Sequence, residues 1–206
     1  MNFKTIINIL AALLIVMGIS MLMPLLISYM YGEPDFRGHL KSSVICFCLG
    51  LPIWYITRKN RSLSSKDGFA IVSLAWLLVA LTGTFPFYFT DSITSFTDAW
   101  FESMSGVTTT GSSILSDIEI LPHGVLFWRS FLQWIGGMGI IVFTIAILPL
   151  LGVGGVQLFK AEVPGPVADK IRPRVKETAK ILWMVYIGFT AVETILLAAF
   201  GMPLFD

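Results

Sequence analysis

Apolar residues run almost unbroken through five stretches of this chain, about 5–29, 39–57, 68–90, 124–151 and 178–200, and polar residues gather between them. Each stretch approaches the roughly 20 mostly apolar residues that carry an α-helix across a bilayer. The second is the weakest, because its uninterrupted apolar part begins only at Val44. Lys4 ahead of an apolar run fits a secretory leader, but the run continues from Ile6 to Ile27 and no small-x-small cleavage site follows. The first stretch is therefore expected to be a retained helix, with Pro24 tolerated near its end.

The link between the third and fourth stretches has a different pattern. Thr90-Asp91-Ser92 offers helix N-cap chemistry, and a short helix is predicted from Ile93 to about Ser105. Phe96, Ala99, Trp100 and Met104 recur in it at three- and four-residue spacing. It is too short to span, and Asp91, Asp98 and Glu102 keep it from lipid. Gly106-Val107-Thr108-Thr109-Thr110-Gly111-Ser112-Ser113 follows, then the polar loop 117–123. Non-helical backbone at membrane depth is tolerated only where protein buries it or it lines a water-filled path. Its free carbonyl oxygens can replace the water around a dehydrated cation, and a helix, a short re-entrant helix, a Thr-Gly strand and a second helix make up a potassium-channel filter. The C-terminal end of the short helix adds about half a negative charge near the ion. The candidate ion ligands are the main-chain oxygens of Thr109, Thr110 and Gly111. Gly111 gives access to backbone angles barred to other residues, and the threonine hydroxyls can serve as further ligands or tethers. The alternative reading of the same residues is an ordinary polar extracellular loop.

Composition places the chain firmly in a membrane. Apolar residues make up 55% and charged residues only 13%, against about a quarter charged in soluble domains. The net charge of +1 points to neither nucleic acid nor an acidic partner, but its distribution is informative. Arg58, Lys59, Arg61 and Lys66 fall in one loop; Lys160, Lys170, Arg172, Arg174, Lys176 and Lys180 fall in another. With Lys4 these share one side of an alternating topology, which is cytoplasmic for basic loops. The N-terminus is then inside, and the Thr-Gly loop opens outside, where Arg37, Lys41 and Arg129 stand against Glu33, Asp35, Asp91, Asp98, Glu102, Asp117 and Glu119, an acidic mouth that concentrates cations.

Other polar positions carry less. Cys46 and Cys48 do not share a helix face, lack a third ligand at metal spacing, and are expected to be buried small residues. Gly136-Gly137-Met138-Gly139 permits close packing or a bend beside the loop. Gly152-Val153-Gly154-Gly155 has neither the preceding strand nor the acidic residue of a nucleotide loop and reads as a flexible break. Glu162-Val163-Pro164-Gly165-Pro166 is either a rigid docking element or a solvated linker. His39 and His123 read as isolated surface histidines. Glu193 is an intramembrane carboxylate or an interfacial contact, and Arg129 pairs with Glu102 or Asp117, or simply snorkels. No Ser/His, His-Glu-x-x-His or paired-carboxylate arrangement lies within the spans, so an enzyme is not expected.

The fold class expected is an all-α membrane protein: a two-helix hairpin (1–66), a helix–pore-helix–helix unit (67–158), and a cytoplasmic linker with one more transmembrane helix (159–206). Gly201-Met202-Pro203 echoes Gly83-Thr84-Phe85-Pro86 at the end of the third stretch. The fifth stretch is thus expected to open a second, truncated unit of the same kind.

Phe101-Glu102-Ser103-Met104-Ser105-Gly106-Val107-Thr108-Thr109-Thr110-Gly111 and Gln133-Trp134-Ile135-Gly136-Gly137-Met138-Gly139-Ile140-Ile141-Val142 resemble the first filter region of the Trk/Ktr/HKT potassium transporter superfamily. With Ala161-Glu162-Val163-Pro164-Gly165-Pro166 and Arg172-Pro173-Arg174 the likeness is to its bacterial TrkH-type uptake subunits, over essentially the whole chain. That resemblance implies four helix–pore–helix repeats around one K+ pathway in the inner (plasma) membrane, preceded by an extra helix pair. It also implies homodimers and a cytosolic nucleotide-binding regulatory subunit. It assigns the ion ligands to the carbonyls of Thr109 and Thr110, with Gly111 completing the filter. The chain departs in holding one filter segment of four and only the opening helix of repeat two, the N-terminal portion of such a subunit. A four-sided cage needs four segments, so the competing expectation is a non-conducting structural or assembly protein.

Overall fold

The computed structural model describes residues 2–58, 65–147, 171–203 and 205. Among these the chain is entirely helical: α1 (Phe3–Ser20), α2 (Leu22–Tyr31), α3 (Phe36–Thr57), α4 (Ser65–Phe89), α5 (Phe96–Val107), α6 (His123–Ile147) and α7 (Ile171–Ala199). The glycine run 152–155, the segment 162–166 and most of the basic loop 58–66 lie outside the described residues. Residues 1–137 form one compact unit and residues 138–206 a second.

In the first unit the hairpin is one helical layer. The first apolar stretch carries Pro24 inside α2, as expected. A single residue, Met21, separates α1 from α2, one turn ahead of the proline, which lacks the N–H and crowds the preceding turn. α1 packs along α3 through small residues. The Ser43 hydroxyl donates to the Gly18 carbonyl across the interface at 2.8 Å, and a Cβ on Gly50 would lie 2.9 Å from Ile15 Cγ1. Cys46 is buried in this seam, whereas Cys48 is exposed, contrary to expectation. Its place two residues along turns it to the other side of the helix.

α4 lies against α1, α3 and α5. It runs through Gly83 and Pro86 and ends at Phe89, within a residue of the end expected for the third stretch, so the motif occupies its last turns. The Thr90 hydroxyl turns back to the Pro86 carbonyl at 2.7 Å, and the next helix starts later than expected, at Phe96. Its N-cap is Ser95, whose side chain accepts from the Asp98 N–H. The core joins these layers: Met17, Met21, Cys46, Val79, Phe87, Ala99, Val107, Val125, Trp128 and Leu132 are buried together. Large apolar residues such as Val16, Leu26, Leu49, Tyr55 and Leu77 face outward.

Four stretches among the described residues are long and apolar enough to cross a bilayer: Phe3–Tyr31, Phe36–Thr57, Asp67–Phe89 and Ala179–Ala199. α6, at 25 residues, extends about 37 Å. α5, at 12 residues, cannot span. In the second unit, α7 carries Glu193 as an exposed side chain and closes on Gly201, whose φ is +95°.

Candidate ion-binding loop at the end of a pore helix

α5 is anchored along its buried face. The Ser103 hydroxyl donates to the Ala80 carbonyl of α4 at 2.7 Å, and the Trp128 indole N–H of α6 donates to the Gly83 carbonyl at 3.0 Å. Both bonds use α4 carbonyls one turn apart: the first ties the pore helix to α4, and the second ties α6 to α4 beside it. The last turn of α5 then rests on α6. A Cβ on Gly106 would lie 3.3 Å from Leu132 Cβ, and one on Gly136 would collide with the carbonyl of Val107. Gly136 is where α6 backbone meets the final turn of the pore helix, and no side chain fits between them.

The helix stops through a doubly bonded turn. The Thr109 N–H donates to the Gly106 carbonyl and the Thr110 N–H to the Ser105 carbonyl, each at 2.9 Å, the paired closure that needs a left-handed residue. That residue is Thr109, with φ +57°. A β-branched residue there is a genuine outlier and costs about 1–3 kcal/mol. Gly111 follows at φ +76°, where glycine pays no such cost. Thr109, Thr110 and Gly111 are consecutive and exposed. Among the described residues no hydrogen bond reaches the carbonyl oxygens of residues 108–111, which are exposed and so available to a ligand, whereas the Val107 carbonyl is packed against Gly136. The Thr108 and Thr110 hydroxyls bond each other at 2.8 Å.

From behind, the loop is tied down by two α5 side chains one turn apart. The Ser105 hydroxyl donates to the Ser112 carbonyl at 2.6 Å. Glu102, only 2% exposed, accepts from the Ser113 hydroxyl at 3.0 Å and from the Ile114 N–H at 3.2 Å. Its Oε1 also receives the Arg129 Nε–H at 2.6 Å. One buried carboxylate thus joins pore helix, returning limb and α6. Arg129 pairs with Glu102 rather than Asp117, whose carboxylate instead accepts the Glu119 N–H at 3.1 Å.

Neither histidine is an isolated surface group. His39 is fully buried, with Nε2 3.3 Å from Asp35 Oδ2, and His123 Nδ1 lies 2.7 Å from Glu33 Oε1. Ser105 and Ser113 escape a reading by motif, whereas Gly136 belongs to the glycine run expected to allow close packing beside the loop, and it does so against Val107. Glu102 and Ser105 do sit three apart, a spacing that places them on one helix face. No cluster of three or more His, Cys, Asp or Glu residues suited to a metal occurs among the described residues. The donors on offer are main-chain and hydroxyl oxygens, which suit a hard cation stripped of water.

Membrane-length helices beside a non-spanning helix that ends in a Thr-Gly loop with free carbonyl oxygens define an integral membrane protein of the helix–pore-loop–helix class. The profile of the family described as TrkH, cation transport protein, matches residues 38–202. The chain belongs to that family. It is 44% identical over 209 residues to the Trk system potassium uptake protein TrkH of Salmonella typhimurium, covering 100% of this chain and 43% of that protein. It is 40% identical over 194 residues to Trk system potassium uptake protein TrkG of Escherichia coli, covering 92% of this chain and 40% of that protein. The crystal structure of the potassium transporter TrkH from Vibrio parahaemolyticus superposes with a TM-score of 0.86 at 38% identity, over 100% of this chain and 41% of that one. The chain spans less than half the length of these relatives.

Proposed function

We propose that this chain supplies one filter segment of a potassium-uptake protein, with the carbonyls of Thr109, Thr110 and Gly111 taking the place of water around K+. The observation that carries this is the end of α5: a left-handed Thr109, a left-handed Gly111 and a run of unbonded carbonyls, held from behind by Ser105 and Glu102. The α5 C-terminus adds partial negative charge at the same place. Transport through such a filter is passive and driven by the membrane potential. The potassium-uptake names of the relatives support the choice of ion.

The same reading places the protein in the inner (plasma) membrane with its N-terminus in the cytoplasm, since the basic stretches then lie inside. Exposed Asp98, Asp117 and Glu119 then ring the outer approach. The three-part organisation at residues 66 and 158 belongs to this proposal. So do a second copy of the protein and a cytosolic nucleotide-binding regulatory subunit as partners, the latter meeting the basic stretch 159–180. The test is potassium-limited growth and tracer uptake by the full gene product in cells lacking their own uptake systems. Gly111→Ser is expected to reduce K+ over Na+ discrimination while the protein still reaches the membrane. Unchanged discrimination defeats the assignment.

A further inference from the structure

The hairpin α1–α3 lies outside the helix–pore-loop–helix unit, yet its outer turn grips the first turn of α6. α2 closes on Gly32, φ +69°, and the next N–H, that of Glu33, bonds back to the Ser28 carbonyl at 3.0 Å. This fixes the direction in which Glu33 leaves the turn. Its Oε2 accepts the main-chain N–H of His123, the first residue of α6, at 2.8 Å, and its Oε1 meets the His123 ring at 2.7 Å. The Tyr31 ring stacks flat on His123, centroids 3.9 Å apart and planes within 7°. One residue further along, a Cβ on Gly124 would collide with the Ser28 hydroxyl and lie 2.8 Å from Asp35 Oδ2. Two carboxylates from one turn therefore face the N-terminal end of α6, where N–H groups lack partners within the helix and the helix dipole favours negative charge.

α6 is also the element against which the loop is set, through Arg129 on Glu102 and through Gly136 on Val107. His123 and Gly136 are about 20 Å apart along the helix, so whatever holds the first turn sets the height of both contacts. We propose that Glu33 is a positioning residue for the filter: it caps α6 from the hairpin and so fixes Arg129 and Gly136 against the Thr-Gly loop. This rests on the filter reading above and adds the hairpin to it. The main-chain arm is the essential one. Loss of the ring arm alone leaves the cap in place.

The experiment compares Glu33→Ala, Glu33→Gln and His123→Ala in the full gene product, with Gly111→Ser alongside. K+ over Na+ discrimination and amide hydrogen exchange of the first turn of α6 are read together. Glu33→Ala is expected to speed exchange at residues 123–126 about 5- to 30-fold, the effect of a lost helix cap, and to lower discrimination about fivefold or more. Glu33→Gln, which keeps an acceptor for the His123 N–H, restores most of both, and His123→Ala keeps both near normal. Where Glu33→Ala does not accumulate, Glu33→Asp, one methylene shorter, shows the same losses in smaller measure. Normal discrimination in Glu33→Ala or Glu33→Asp while Gly111→Ser loses it overturns this proposal alone. Normal discrimination in Gly111→Ser as well overturns the filter reading and this proposal with it.

Discussion

Removing the Glu102 carboxylate tests whether the loop is held as described. In Glu102→Ala the Arg129 guanidinium loses an acceptor at 2.6 Å, the Ser113 hydroxyl one at 3.0 Å and the Ile114 N–H one at 3.2 Å. Breaking a buried pair by deleting one partner costs about 3–5 kcal/mol. Arg129 keeps 17% side-chain exposure and can reach some solvent, which points to the lower end, about 3 kcal/mol. Glu102→Gln keeps the shape and one acceptor but loses the charge, and hydrogen bonds to charged groups contribute about 1.5–3 kcal/mol, so roughly half that loss is expected. Unfolding of the purified protein in mixed micelles measures both. A cycle with Arg129→Met isolates the pair, whose coupling is expected at about 1–3 kcal/mol. Exchange of the Ile114 amide should rise in step. A loss below about 1 kcal/mol in Glu102→Ala, with coupling near zero, refutes the idea that this carboxylate joins the three segments.

Gly136→Ala forces a methyl group against the Val107 carbonyl and should cost about 1–3 kcal/mol by overpacking, with a matching loss of K+ uptake. Gly188→Ala meets nothing within 4 Å and should leave unfolding unchanged or raise stability by up to about 1 kcal/mol. Thr109→Gly relieves a left-handed threonine at φ +57°. A relief of about 1–3 kcal/mol against about 0.5–1 kcal/mol of added chain entropy should leave the protein at least as stable in thermal unfolding, while its ion discrimination falls.

What could be read directly from the chain is what local chemistry controls. Apolar runs marked the long helices, and three- and four-residue spacing marked α5 as a helix but not its buried face, which holds Ala99, Glu102, Ser103, Ser105, Gly106 and Val107 while Phe96 is exposed. The Thr-Gly run marked the loop, because clustered glycine and hydroxyl residues between periodic apolar segments favour non-helical backbone. Local competition explains the misplaced boundaries. Ser95 won the cap of α5 over Thr90 because the Thr90 hydroxyl bonds its own helix, and α1 gives way to α2 at Met21, one turn ahead of Pro24. The remainder depends on contacts far apart in sequence. Glu33 and His123 are 90 residues apart, and nothing local selects that partner. Glu102 and Asp117 were equivalent acids for Arg129 until the turn at residues 105–112 brought Ser113 and Ile114 back over α5. Gly136 is one of several glycines in α6, and only the approach of Val107 singles it out.

The most direct measurement is anomalous diffraction from crystals of the full gene product grown with Rb+ or Tl+ in place of K+. The account predicts an ion peak in direct coordination with the carbonyl oxygens of Thr109, Thr110 and Gly111, lost when Na+ replaces the heavier ion. Clear density for those residues with no ion against them, and the ion bound elsewhere, contradicts it.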